Sequence, residues 1–311
     1  NITVPLLGLV DVAIAGHLGS AAYIGAIAVG TMVFNVIYWV FGFLRMGTSG
    51  LTAQALGSRD LAGVATTLVV AATIVVVQTP LGGFAIKATG ATGDIAASAH
   101  AYFGICVWGA PAMLGLYALT GWFIGMQNTR IPMLVSIVQN VVNIAASLVF
   151  VYAAHWRVEG IAAGTLVAQY AGLLMAALLW AKHYGARMLK RVEWGSVCRK
   201  DALLKFFAVN RDIFLRTLFL VAVNFSFLSA GAAQGAVILA VNTLLMQLFT
   251  LFSYIMDGFA YAGEALCGRL YGAGNILEFK RMVRRLFIWG GALTAAYTLA
   301  YALGGSGFLT L

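Results

Sequence analysis

The chain has 311 residues, is 62% hydrophobic and 9% charged, and has a mean hydropathy of +0.93. Soluble domains carry about 25% charged residues, so this composition excludes a water-soluble globular protein and indicates an integral membrane protein. The formal charge of +9 would suit nucleic acid in a soluble chain, but in a membrane protein its placement is an orientation signal.

Long apolar windows recur along the whole chain, which predicts an all-α membrane protein and not the short alternating strands of a barrel. Nine transmembrane segments are expected, at about 1–17, 26–56, 61–87, 96–125, 131–155, 158–184, 208–231, 236–270 and 279–303. Within the first, the run from Ile2 to Gly16 has Asp11 as its only ionisable side chain. A charged residue at the bilayer centre costs about 2.5–3.5 kcal/mol on insertion scales, so such residues face a bundle interior or a hydrated path. Asp11 is therefore a functional candidate.

Arg45 lies near the cytoplasmic end of the second segment, where it could pair with a carboxylate, though snorkelling to the interface is the expected behaviour. Pro80 and Pro111 fall inside the third and fourth segments and predict kinks, each removing a backbone hydrogen bond. On the fifth, Ser136, Asn140, Asn143 and Ser147 recur at helical spacing. Thr165 and Gln169 stand one turn apart on the sixth. Taken singly, these are packing hydrogen bonds before they are site residues.

The polar stretch Lys182 to Asp212 separates six segments from three. The eighth segment then carries Thr243, Gln247, Thr250, Tyr254, Asp257, Tyr261 and Glu264, alternately four and three residues apart. That spacing makes one polar stripe on an apolar helix. Such a face cannot point at lipid; it predicts the wall of a hydrated cavity, with a buried hydrogen-bond seam as the alternative.

Two fragments repeat across the polar stretch. Ile27-Ala-Val-Gly-Thr-Met32 matches Leu239-Ala-Val-Asn-Thr-Leu244, and Ala55-Leu-Gly-Ser-Arg-Asp60 matches Leu270-Tyr-Gly-Ala-Gly-Asn275. The pairs predict a duplicated six-helix unit, a common plan among secondary transporters whose sites lie between repeats. A complete duplication would need three more helices, and the first segment starts inside its span, so the sequence is expected to be a piece of a longer protein. Four G-x-x-x-G pairs occur, Gly121/Gly125, Gly160/Gly164, Gly231/Gly235 and Gly268/Gly272. With 36 glycines in the chain, about four arise by chance, so the pattern alone does not predict helix packing.

Seventeen of the nineteen basic residues lie on one predicted side, with only Lys87 and Arg157 opposite, which makes the basic side cytoplasmic. Cys106, Cys198 and Cys267 form no motif and predict neither a disulfide framework nor a metal site. His17, His100 and His155 fall near segment ends without ligand spacing. No phosphate-binding G-x-x-x-x-G-K-[ST] loop occurs, nor H-E-x-x-H or G-x-S-x-G. Ion-coupled movement of a solute remains.

Val4-Pro-Leu-Leu-Gly-Leu-Val-Asp11 with Gly16-His-Leu, Gly50-Leu-Thr-Ala-Gln-Ala-Leu-Gly57, and Asp257-Gly-Phe-Ala-Tyr-Ala-Gly-Glu-Ala265 closely resemble the multidrug and toxic compound extrusion family, in its DinF branch. The resemblance runs over essentially the whole chain. It implies twelve helices in two six-helix lobes around a V-shaped cleft, of which about nine are present here, and both termini cytoplasmic. The corresponding division is an N-terminal lobe over 1–184, a basic linker over 185–207 and a partial C-terminal lobe over 208–311. Asp11 matches the family's first-helix aspartate, a proposed cation or proton site. Asn143 matches the asparagine of a fifth-helix Asn-x-x-x-Asp motif, and Thr165 a polar position on the sixth. The motif's aspartate is Ser147 here, which leaves Asp11 as the one titrating group expected in that site.

The expected function is thus a multidrug antiporter, coupled to protons in preference to sodium, exporting organic cations or amphiphiles by alternating access. Asp11, Asn143 and Thr165 are the ion-coupling candidates; Gln169, Tyr254, Asp257, Tyr261 and Glu264 are the cavity candidates. No cofactor, catalytic residue or metal is expected, and no nucleic acid; the partners are a small-molecule substrate and the lipid bilayer. The chain is expected to act as a monomer in a bacterial inner membrane. Two rivals stand beside it. One is a lipid-intermediate flippase of the same superfamily. The other is an intramembrane enzyme using Asp257 and Glu264, which their separation of roughly 10 Å along one helix disfavours.

Overall fold

The computed structural model describes residues 38–39, 41–60, 104–156, 158–185, 200–234 and 236–308. Among these residues the secondary structure is helical throughout, without a strand. We number the helices α1 Phe43–Gly57, α2 Ala110–Gly125, α3 Arg130–Leu148, α4 Val158–Trp180, α5 Lys200–Gln234, α6 Ala236–Gly272 and α7 Ile276–Phe308. Wider π turns extend α3 through Val149–Ala153 and α4 through Ala181–Gly185. Among the described residues three elements are long and apolar enough to cross a membrane: Arg130–Ala153, Glu159–Gly185 and Ile276–Leu303.

Two expectations change in detail. Helix α5 begins at Lys200, so the end of the stretch read as a linker is helical. The kink expected at Pro111 takes the form of a 3-10 turn at Val107–Gly109, with Pro111 in the first turn of α2. Proline cannot donate to the preceding turn but suits a helix start, so the break falls just before it.

The polarity of α3 and α4 is inverted relative to a soluble bundle. On α3 the apolar Met133, Ile137, Val141 and Leu148 are exposed, whereas Ile131, Val135, Asn143, Ser147 and, beyond the helix, Val151 are buried on a row of four-residue spacing that the half-buried Gln139 completes. The facing helix α4 buries Gly160, Gly164, Ala168, Gly172 and Ala176 at the same interval. Small side chains let the backbones approach, which is how helices associate where lipid removes the hydrophobic drive. A Cβ on Gly164 would meet the Ser147 side chain, and one on Gly172 would meet Gln139 at 3.3 Å.

Helix α1 lies between α2 and α6 and also touches α5. Gly121 and Gly125 of α2 rest against the carbonyls of Arg45 and Ser49, and Gly268 of α6 against Ala53. Three of the four G-x-x-x-G pairs therefore mark close packing with both glycines, contrary to the expectation that they carry no meaning. Counting glycines treats all positions alike, while packing uses the ones aligned on one face. Aromatic and aliphatic side chains fill the rest: Phe43, Leu44, Leu114 and Phe206 join α1, α2 and α5, and the buried Trp122 is held edge-on by Phe123, Trp180 and Tyr184.

The repeat read from sequence reappears in hydrogen bonds. At the end of α1, Ser58, Arg59 and Asp60 donate their N–H groups to the carbonyls of Gln54, Leu56 and Ala55; at the end of α6, Ala273, Gly274 and Asn275 donate to Arg269, Tyr271 and Leu270. Both turns place the middle residue in the left-handed region, Arg59 at φ 59° and Gly274 at φ 69°. This is a left-handed helix cap used twice, 215 residues apart.

Candidate functional site

Tyr254, Asp257, Tyr261 and Glu264 lie on one face of α6, all half-buried. The face meets α1 and α2, and what it meets there is polar. The Arg45 guanidinium stacks over the Tyr261 ring, 4.1 Å from its centroid. Tyr261 hydrogen-bonds Asp257 one turn away, and Asp257 and Glu264 both lie in the field of Arg45. Tyr117 of α2 is within electrostatic reach of Arg45, Tyr254 and Tyr261. Among the described residues the buried Arg45 Nη1 has no hydrogen-bonding partner, and the Glu264 carboxylate lies close to the Ser49 hydroxyl. The face is thus a polar cluster of three helices, with hydrogen-bonding capacity of the Arg45 guanidinium left over among the described residues.

The stripe does not continue uniformly. Thr250 is exposed and donates back to the Met246 carbonyl at 2.7 Å, the local bond that threonine makes on a helix with nothing better to do. The side chains of Thr243 and Gln247 lie outside the described residues.

A second polar cluster sits between α3 and α4. Asn143 Nδ2 donates to Thr165 Oγ1 at 3.1 Å, and that hydroxyl donates to the Ile161 carbonyl at 3.1 Å. The structure thus brings together two of the three ion-coupling candidates; Asp11 lies outside the described residues. Asn143 Oδ1 and Ser147 Oγ remain buried and unpartnered beside them. Gln169 stands apart from this pair. It is buried against Gly109 of the 3-10 turn, where Tyr170 Oη also donates to the Trp108 carbonyl at 2.8 Å. Helix α4 therefore supports the break before Pro111.

The basic end of the α1–α6 contact is closed. Gly57 packs on the Arg269 carbonyl and Gly272 on the Gln54 carbonyl. Arg269 Nη1 donates to Gln127 Oε1 at 2.7 Å, and Gln127 Nε2 donates to the Ala265 carbonyl at 3.4 Å. Gln127 holds this position from a left-handed backbone, φ 61°, a conformation that costs a non-glycine residue about 1–3 kcal/mol. Among the described residues no group of three or more His, Cys, Asp or Glu side chains could hold a metal ion.

Tyr117, Gln127 and Arg269 were not among the residues singled out for this site, and Arg45 entered only as a residue that could pair with a carboxylate. Arg45 does not snorkel; it turns inward onto Tyr261. Its distance from the end of α1 carried the signal: twelve residues separate it from Gly57, roughly 18 Å of helix, beyond the reach of one side chain.

The profile of the MatE family matches residues 1–149. The chain is 36% identical to "DNA damage-inducible protein F" of Escherichia coli strain K12 over all of its own length and 69% of that protein's. It is 26% identical to "Protein DETOXIFICATION 44, chloroplastic" of Arabidopsis thaliana, covering 91% of this chain and 56% of that one. Among solved structures, a MOP superfamily transporter from Pyrococcus furiosus Vc1 aligns with a TM-score of 0.82 at 22% identity, covering 96% of this chain and 67% of that one.

Proposed function

This chain belongs to the multidrug and toxic compound extrusion (MatE) family, and from that premise we propose that it is part of an ion-coupled efflux antiporter for organic cations and amphiphiles. The observation that carries the reading is the α6 stripe. Its acids and tyrosines face charged and aromatic side chains of α1 and α2, and the buried Arg45 Nη1 has no hydrogen-bonding partner among the described residues. An apolar cation needs that combination, ring faces for its body and carboxylates for its charge.

The coupling ion is a proton or sodium, with protons favoured because Ser147 removes a carboxylate that sodium would use. Asp11 is assigned as the titrating group, beside Asn143 and Thr165. No cofactor enters, the unit is a monomer, and the membrane is a bacterial inner membrane with the basic end cytoplasmic. Closure at Gly57/Gly272 on that end corresponds to a state closed to the cytoplasm. Seven residues separate Asp257 from Glu264 on one helix, which supports transport over acid–base catalysis.

Substrate-driven proton or sodium flux in proteoliposomes of the full-length parent protein tests the reading. Flux that follows an organic cation such as tetraphenylphosphonium is expected. Absence of coupled flux in either gradient would overturn it.

A further inference from the structure

The cavity reading of α6 leaves Arg45 unexplained, since a positive charge beside a receptor for cations ought to repel them. Its geometry answers this. The guanidinium occupies the Tyr261 ring face at 4.1 Å, the position that an organic cation would take on an aromatic wall. Asp257 and Glu264 lie in its field but make no contact ion pair with it among the described residues, and its buried Nη1 makes no hydrogen bond among them. The root of the side chain is fixed, because the Arg45 carbonyl lies against Gly121 of α2 with no space for even a Cβ. Any displacement must therefore come from the side chain, with the backbone held.

We propose that Arg45 is a tethered stand-in for the substrate, a specificity-determining residue that holds the Tyr261 face until an organic monocation displaces it. Arg45, Asp257 and Glu264 together carry at most one net negative charge, which balances one positive charge on the ligand. Without Arg45 the same pocket would carry up to two, and would accept dications. The proposal rests on the cavity reading above and adds the ligand's charge class to it.

Equilibrium binding to the purified full-length parent separates the possibilities, using tetraphenylphosphonium as the monocation and methyl viologen as a flat dication. Arg45→Gln should tighten tetraphenylphosphonium about three- to tenfold, the range of one partly buried cation–π contact, and should tighten methyl viologen more. Adding Tyr261→Leu to Arg45→Gln should remove the monocation gain. Arg45→Met, close in length and uncharged, gives the same readout should Arg45→Gln fail to fold. Unchanged or weaker monocation binding in a folded Arg45 variant overturns the proposal. If wild type binds tetraphenylphosphonium and Asp257→Asn weakens it, that failure leaves the cavity reading standing. If neither wild type nor any variant binds either cation, both fall.

Discussion

Gly57 and Gly272 make the same contact in opposite directions, each packing on the backbone carbonyl that lies three residues before the other: Gly57 on Arg269, Gly272 on Gln54. The two glycines occupy matching positions in the repeat, so the halves of the chain meet through one surface used twice. A self-complementary contact of this kind arises naturally at a two-fold axis.

If that crossing seals the cytoplasmic side, widening it should open the protein there. Gly57→Val and Gly272→Val each place a branched side chain against a carbonyl, an overpacking that costs about 1–3 kcal/mol. We expect a lower thermal unfolding midpoint for both. We also expect faster labelling from the cytoplasm of a cysteine placed at Ser49 in either variant. Labelling unchanged from wild type would mean that the crossing is a packing contact only.

The Arg269–Gln127 bond reinforces the same closure and is exposed. Exposed polar pairs of this kind are worth about 0.2–1 kcal/mol, too little to hold the fold but enough to bias two states. Arg269→Ala and Gln127→Ala should therefore raise cytoplasmic labelling at Ser49 by a small factor each. A double-mutant cycle should show them coupled, the double variant little different from either single; full additivity would dissolve the pair.

Ser147 is fully buried against Gly164, and this revises what restoring the family's aspartate would do. Ser147→Asp adds volume and charge where a glycine already marks the limit of approach, so it should destabilise the α3–α4 pair and reduce folded yield. Ser147→Asp together with a coupling ion that rescues folding would show instead that the site opens to accept a carboxylate. Thr165→Val should cost about 1–3 kcal/mol, because it leaves the Asn143 amide buried without its acceptor. Equilibrium or thermal unfolding of the purified full-length parent checks both.

The helical, membrane-spanning architecture, the repeat and the inward face of α6 were legible in the sequence because each is a periodicity. Polar residues every three or four positions define a face whatever the helix packs against. Arg45 and Gln127 were harder, since their roles depend on partners more than 130 residues away. The sequence shows a charge near a segment end, and only the crossing of α1 with α6 reveals what that charge reaches. The small-residue row of α4 was legible in part: Gly160 and Gly164 stood out, but Ala168, Gly172 and Ala176 continue the row only if alanine is counted as small.

Asp11 and Asp257 are the two acids that could couple ion movement, and a conservative change separates them. Asp11→Asn in the full-length parent should abolish gradient-driven efflux while expression holds. Asp257→Asn, which removes the charge beside Tyr261, should weaken organic-cation binding and leave efflux of other amphiphiles measurable. Normal efflux from Asp11→Asn with loss on Asp257→Asn would transfer coupling to α6.

The central claim is that the α6 stripe lines a hydrated substrate cavity closed toward the cytoplasm, and thiol accessibility addresses it most directly. In a full-length parent lacking its native cysteines, single cysteines at Tyr254 and Tyr261 should react with a membrane-impermeant thiol reagent added outside. Tetraphenylphosphonium should protect them. Cysteines at Leu251 and Ile255, on the exposed apolar face of the same helix, should stay unreactive. Unreactive Tyr254 and Tyr261 positions, or reaction that tetraphenylphosphonium leaves unaltered, would contradict the account and return the stripe to a buried seam.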